Sequence, residues 1–354
     1  MFDFSAIPGI EPDVGTLPSG ERVCVHLFRP QDAPGIARLF RKVYGDGYPV
    51  RHFYEPEALA AALKAGANYS IVARKEDGEV IGHVGVFRSS PYPNLYEAGA
   101  GLVDPGYRSA GINLLMLHHA YERLAPALGL EEMWGESVCY HLHMQKALEH
   151  HRHVETGLEV DLMPAEAYAR EKSAPGRVTS LLSFRAYRSG PHRVFLPPAY
   201  EDALRFLYSG LDDGRTLEPS RGLPPGGTKS EVSLEVFDSA RVCRIAFPAI
   251  GEDFGPCLGA LEREAVPADT VVAQVTVNLS CPWAGHAVDI LRGRGYFLGG
   301  ILPRWFGEDG LLMQKIAGRP NWEGIQLLSE RSGEILRIVR NDWERLCGSS
   351  AAGA

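Results

Sequence analysis

Residues Gly101 to Asn113, GLVDPGYRSAGIN, decide how the rest of the chain is read. An apolar segment, Leu95 to Val103, runs into Asp104-Pro105-Gly106. The small-residue loop Arg108-Ser109-Ala110-Gly111 follows, and the run LLMLHHAYERL behind it predicts a helix from about Ile112 to Ala125. A strand that feeds a glycine-bearing loop at a helix N-terminus makes an anion site. The first N–H groups of a helix have no internal acceptor, and the macrodipole puts partial positive charge there.

Outward from this stretch, the whole chain narrows the class. A length of 354 residues fits two domains of about 150–180 residues each. An apolar fraction of 45% with 23% charged residues is ordinary globular composition. The formal net charge of -8 argues against a nucleic-acid surface, which needs a basic face. No apolar run reaches the roughly 18 residues of a membrane span. The N-terminal MFDFSAIPGIEPDV is acidic and broken by proline, unlike a signal peptide. The cysteines at 24, 139, 243, 257, 281 and 347 show no CxxC spacing. That suits reduced thiols in a cytoplasmic protein.

In chain order, residues 1–20 read as an irregular lead-in. Val23–Phe28 is strand-like, and Asp32-Ala33-Pro34 starts a helix whose apolar face is Ile36, Leu39, Phe40 and Val43, with Asp32 as N-cap. A loop over 44–54 and a helix over 57–65 follow. Strands at 69–74 and 80–87 flank an Asp-Gly hairpin turn. Leu95–Val103 is the next strand, and further strands fall at 133–139, 156–163 and 178–187, with a helix over 141–151. Residues 164–176 form an extended polar excursion.

This order resembles the GCN5-related N-acetyltransferases (the GNAT family) over about residues 20–187. Local matches carry the resemblance: Arg29-Pro30-x-Asp32, Val80-Ile81-Gly82-His83-Val84, Val103-Asp104-Pro105-x-Tyr107-Arg108, Gln145-Lys146-Ala147-Leu148 and Glu155-Thr156-Gly157. The loop Arg108-Ser109-Ala110-Gly111-Ile112-Asn113 is similar to the family's Q/R-x-x-G-x-G/A signature, with Asn113 at a position normally Gly or Ala. The resemblance implies acetyl-CoA as cosubstrate, its pyrophosphate over the N–H groups of Arg108, Ser109, Ala110, Gly111, Ile112 and Asn113, beside Leu102 and Val103. A Cβ at Gly111 would block close backbone approach. The run Ala98-Gly99-Ala100-Gly101 suits a cleft where an extended ligand pairs with strand backbone.

From 194 onward the pattern repeats. A helix (198–210), a hairpin (230–237 and 240–250), a helix (254–265), a strand (271–279), a helix (283–292) and two strands (296–302, 311–316) succeed one another. The expected fold is α/β with a mixed sheet: two GNAT-like domains in tandem, 21–187 and 194–354, joined by a linker at 188–193. Each is a mostly antiparallel twisted sheet flanked by helices. The loop over 215–229 is expected to be irregular, and 323–345 to hold two short elements, with Trp322 and Trp343 in packing roles.

An amine nucleophile must lose its proton. At a pKa of about 10.4 only roughly one amine in a thousand is neutral near pH 7.4, so a carboxylate helps. Glu97 is the candidate base, and strict alternation puts it on one face with Gly99, Gly101 and Val103. The resemblance implies a tyrosine acid after the fifth strand, but that place falls at Leu148. Tyr140 and His141, at the start of the same helix, are the substitutes; protonation by water is the other route. His141, His143, His150, His151 and His153 read as a solvated helix end rather than a metal set, so no metal is expected. His118 and His119 are adjacent in sequence and cannot share a helix face.

The second half has Gly251-Glu252-Asp253-Phe254-Gly255-Pro256 where the first has its anion loop. Two carboxylates there oppose phosphate, so this half is expected not to bind CoA. Pro303–Asp309 carries a Trp305-Phe306 pair that suits a binding loop, a domain interface or packing. The expected function is acetyl or short-acyl transfer from CoA to a small-molecule or peptide amine in a ternary complex. The alternatives are a non-catalytic acyl-CoA-binding module and, disfavoured by the acidic charge, aminoacyl transfer from charged tRNA.

Overall fold

The computed structural model describes residues 10–48, 50–64, 68–165 and 176–347. Most of the expected excursion over 164–176 lies outside them. By packing, the chain divides into two compact units. The first comprises Met1–Gly135, Ala147–Arg152 and Arg185–Tyr187; the second comprises Glu136–Lys146, His153–Phe184 and Arg188–Ala354.

In the first unit the strands are ordered β1 (Asp13–Thr16), β2 (Arg22–Leu27), β3 (Asn68–Lys75), β4 (Val80–Phe87), β5 (Leu95–Val103) and β6 (Glu132–Val138, whose first half belongs here). All neighbours are antiparallel except β5 and β6. Asp13–Thr16 falls in the expected irregular lead-in, yet it pairs with β2. Helices α1 (Ala33–Tyr44) and α2 (Pro56–Lys64) cover one face. Ile36, Leu39 and Phe40 meet Val72 and Leu102 there in a buried cluster. Gly45, at φ 62, ends α1 in the left-handed region that glycine enters without strain. Asp32 does not cap α1 with its side chain. Its carboxylate instead accepts the Arg29 N–H at 2.7 Å and pairs with Arg74. On the other face, α3 (Ile112–His118) runs through a π-helical segment (His119–Leu124) into α4 (Ala125–Ala127). Gly82 lies beneath it; a Cβ there would sit 2.9 Å from Met116 Sδ, so the end of that side chain would have to shift.

The second unit holds β7 (Val154–Met163), β8 (Val178–Ala186, as far as Phe184), β11 (Glu231–Phe237), β12 (Val242–Ala249), β13 (Val272–Asn278), β14 (Phe297–Leu302) and β15 (Gly310–Ile316). Their order is β8-β7-β14-β15-β13-β12-β11. β7 and β8, placed in the first domain by sequence, share this unit's core. β7 meets β14 glycine on glycine: a Cβ on Gly157 would sit 2.7 Å from the Gly299 carbonyl. The core is closed by α6 (Glu201–Tyr208), α7 (Phe254–Glu264), α8 (Ala284–Gly293) and α9 (Glu330–Cys347). The two short elements expected over 323–345 are a single turn, Trp322–Gly324, and the 18-residue α9. Trp322 and Trp343 pack edge to face at 5.7 Å. Within the expected loop over 215–229, β10 (Thr216–Pro219) pairs in parallel with β9 (Arg193–Leu196). Of the remaining helices, α5 (His143–His150) follows β6. Both units are thus mostly antiparallel mixed sheets flanked by helices.

Candidate active site

The site begins with a break in strand alternation. Gly99 pairs with Gly85 and Leu102 with His83, so Ala100 and Gly101 together oppose Val84. That is a β-bulge, and Ala100 takes φ 48 within it. Directly opposed residues share a face. Glu97 opposite Phe87, Gly99 opposite Gly85 and Leu102 opposite His83 therefore lie on the α1–α2 face. Val103, opposite Gly82, lies on the α3 face. The expected grouping of Glu97 with Val103 is corrected: the extra residue reverses the alternation after Gly99.

The other edge of β5 is equally specific. Its parallel pairing with β6 covers Leu95, Tyr96 and Glu97 against Glu132, Met133 and Trp134. After Gly135 the β6 chain belongs to the second unit.

At the end of this edge stands the anion loop. Asp104 is buried; its Oδ1 accepts the Gly106 N–H at 2.9 Å and its Oδ2 holds Lys42 Nζ at 2.6 Å. Ser109 and Gly111 take φ 67 and 77, which wraps the loop around the start of α3. The first helical bond runs from Leu115 N–H to the Gly111 carbonyl. The N–H groups of Ile112, Asn113 and Leu114 therefore have no helical acceptor. Arg108, Ser109 and Gly111 are exposed, Ala110 and Asn113 half-buried, and Ile112 buried. A Cβ on Gly111 would meet nothing within 4 Å. Its φ is what requires glycine, and the space above it is open. An anion of pyrophosphate type fits these residues.

Glu97 is half-buried on the α1–α2 face. Its Oε1 would lie 2.7 Å from a Cβ on Gly99, and Phe87 Cζ would lie 3.0 Å from it. Gly99 is thus the residue over which the carboxylate folds. Burial, then Tyr44, then the Glu97 charge raise the Tyr48 phenol. Burial, Tyr187 and again Glu97 raise that of Tyr121. The same face carries a group that sequence reading missed. His83 is fully buried; its Nδ1 is 3.0 Å from the Ala100 carbonyl and its Nε2 2.8 Å from Ser70 Oγ.

Glu97 and the loop residues from Leu102 to Asn113 thus fall in the first unit. Tyr140 and His141 belong to the second. Both are half-buried in the turn before α5, their rings edge to face at 4.4 Å, with His143 5.1 Å from His141. Leu148, at the place the resemblance assigns to a tyrosine, is buried, and its Cδ1 would lie 3.4 Å from a Cβ on Gly135. Among the described residues no three His, Cys, Asp or Glu side chains are grouped to hold a metal, and no helix is long and apolar enough to cross a membrane.

The corresponding region of the second unit differs in three ways. β12 and β13 pair in parallel without parting from Val242–Val272 to Phe247–Val277. The bulge in β12, between Ala246 and Ala249, contains Pro248, which has no N–H to offer. The acidic loop is engaged by its own chain: Glu252 Oε2 accepts the Gly227 N–H and Asp253 Oδ1 the Ser230 N–H, each at 2.7 Å.

Pro303–Asp309 is a packed loop. Trp305 is buried and Phe306 half-buried, so this pair is not an exposed one. Asp309, fully buried, accepts from the Arg304 N–H at 2.9 Å, from Arg215 at 2.5 Å and from His192 Nε2 at 3.1 Å. Burial opposes ionisation of Asp309, but the bonds from His192 and Arg215 outweigh it and hold the carboxyl well below its usual range. Burial lowers His192, and its bond to Asp309 outweighs that and raises it. The Asp309 contribution to stability is therefore complete above about pH 4 and is lost as pH falls below that. The His192 contribution is complete below about pH 6.5 and is lost as pH rises. Asp309→Asn should cost about 3–5 kcal/mol, most between pH 4 and 6.5. Thermal melts across pH check this; a constant deficit down to pH 2 would contradict it.

No curated protein sequence matches the chain. Among solved structures, the chain is similar to ribosomal-protein-S5-alanine acetyltransferase from Vibrio fischeri, at 17% identity and TM-score 0.39, over 46% of this chain and 92% of that one. It is similar also to spermidine N-acetyltransferase from Vibrio cholerae in complex with CoA and spermine, at 15% and 0.38, over 46% and 95%. An N-acetyltransferase from Staphylococcus aureus Mu50 follows at 13% and 0.37, over 46% and 98%. Residues 33–151, which hold α1, the β5 edge, the bulge and the anion loop, match the model of the Acetyltransferase (GNAT) family.

Proposed function

We propose that this protein is an N-acetyltransferase that moves an acetyl or other short acyl group from CoA to a small-molecule or peptide amine by direct attack in a ternary complex. The observation that carries the reading is the β5 bulge at Ala100–Gly101, on the strand that runs into the loop ending in the left-handed Gly111. CoA supplies the activated thioester. Arg108, Ser109, Ala110, Gly111, Ile112 and Asn113 hold its pyrophosphate, and the strand end at Leu102 and Val103 borders its arm. Glu97 accepts the proton that the attacking amine gives up, directly or through a water. Tyr140 or His141 returns a proton to the leaving sulfur.

The chain is a tandem pair, 21–187 and 194–354 joined by 188–193, in which β7 and β8 of the first segment pack with the second unit and only the first binds CoA. The uninterrupted β12–β13 ladder, Pro248 and the engaged carboxylates of Glu252 and Asp253 support that asymmetry. The second domain shapes the acceptor site. The protein acts in the cytoplasm, without nucleic acid, membrane or metal.

The buried Leu148 favours one second reading, a non-catalytic acyl-CoA-binding module. Thiol release from acetyl-CoA with a panel of amines separates the two. Amine-dependent release supports transfer, whereas CoA binding with no release from any amine supports the module. On the transfer reading, Tyr140→Phe or His141→Ala, but not both, slows the step that expels the thiolate. If single-turnover rates stay unchanged in both, the proton comes from solvent.

A further inference from the structure

We infer that the outer edge of β11 pairs with β11 of a second copy of this chain, antiparallel, about a two-fold axis at Leu234.

β11 ends its sheet. It pairs with β12 on one side, and among the described residues no strand lies along the other. In the first unit β4, the strand before the anion-loop strand, is flanked outward by β3, β2 and the four-residue β1. β11 has no such cover. Six of its seven residues are exposed, and Leu234 is half-buried. Val232, Val236 and Phe237 are 38%, 39% and 41% exposed. A free edge presents a row of unpaired N–H and C=O groups. Proteins defend such edges with proline, lysine, a bulge or a very short strand. EVSLEVF holds neither proline nor lysine, and the bulge of this hairpin lies in β12. The edge is thus built to take a further strand.

The sequence of β11 selects its own copy as that strand. Directly opposed residues of an antiparallel pair share a face, so a two-fold pair must be centred on a residue. Centred on Leu234, the pair uses all seven residues. Leu234 then meets itself, and Val232 meets Val236 of the second copy. Leu234 packs against the core beside Ile245, so these pairs extend an apolar face that already exists. On the other face Ser233 meets Glu235 of the second copy and Glu231 meets Phe237, so no like charges are directly opposed. A centre on Ser233 would set Glu231 against Glu235, and a centre on Glu235 would set that carboxylate against itself. Centres on Val232 or Val236 keep only three opposed strand residues. The two-fold pair consumes both edges, so association closes at two. It carries one cost: Glu235 stands diagonal, at about 7–8 Å, to Glu231 and Glu235 of the second copy. Arg244, opposite Glu235 on the same chain, offsets part of it.

Sedimentation velocity of the full chain over about two decades of concentration around 10 µM should show the mass rising from one chain to two. Val236→Lys, at an exposed position, sets an ammonium against Val232 at both ends of the pair and should weaken association at least about tenfold. Glu231→Lys turns the diagonal repulsion from Glu235 into attraction and should tighten it by about 2–10-fold. Added salt should tighten the unaltered pair, because it screens those carboxylates. Opposed Cα atoms about 4.5–5.5 Å apart are within disulfide reach. Leu234→Cys, the position opposite itself, should therefore give a covalent dimer on mild oxidation, and Val236→Cys should not. A chain monomeric across the whole range would overturn the inference. So would a dimer indifferent to Val236→Lys, one that Glu231→Lys weakens, or one that Val236→Cys cross-links as readily as Leu234→Cys.

Discussion

Glu97→Gln lowers turnover by roughly 10²–10⁴-fold and leaves CoA affinity nearly unchanged. The amide keeps the size of the carboxylate and most of its contacts over Gly99, but it cannot take a proton from the amine. Since only a small fraction of a lysine-like amine is neutral near pH 7.4, the residual rate should climb as pH rises toward the amine's own pKa of about 10.4. In the unaltered protein this climb should be flatter if the carboxylate does the deprotonation, as proposed. Rate against pH for both proteins, with CoA titrated separately, checks this. Unaltered turnover at neutral pH would remove Glu97 from the mechanism.

Gly111→Glu abolishes CoA binding. The substitution places a negative charge at the loop proposed to hold the pyrophosphate, and its Cβ enters the space that is open above that loop. It also forces a glutamate to φ 77, at a cost of roughly 1–2 kcal/mol. Gly111→Asn separates these effects. Asparagine tolerates the left-handed region and adds no charge, so its loss of affinity should be much smaller. Glu252→Ala, in the second unit, leaves binding intact, because that carboxylate serves the Gly227 N–H. Fluorescence or calorimetric affinities of the three variants check the set; binding that survives Gly111→Glu would place the cofactor elsewhere.

Much of this arrangement was legible in the chain. Val80–Phe87 and Leu95–Val103 were read end for end, because their apolar runs are bounded by turn residues. The anion loop and the helix behind it were read from Pro105, Gly106 and Gly111. The bulge was not. Ala98-Gly99-Ala100-Gly101 suits a straight strand as well as a kinked one, and only the register with β4 shows that one residue is extra. That extra residue moved Val103 to the other face. His83 in an apolar strand read as one more family match, since its bonds to Ser70 and Ala100 join residues 13 and 17 positions away. Asp13–Thr16 and Thr216–Pro219 were missed because four-residue strands carry little periodicity. The stretch 323–345, expected as two short elements, is mostly the single helix α9, which runs through Gly333. The grouping of β7 with β14 depends on glycine meeting glycine at 157 and 300, a match of surfaces that neither segment announces alone.

On the proposed function, one half of the chain holds the cofactor and the other does not. Calorimetric titration of acetyl-CoA into the intact protein measures it most directly. One site per chain, lost in Gly111→Glu and kept in Glu252→Ala, is the expected result. Two equivalent sites per chain, or one site indifferent to Gly111→Glu, would contradict it.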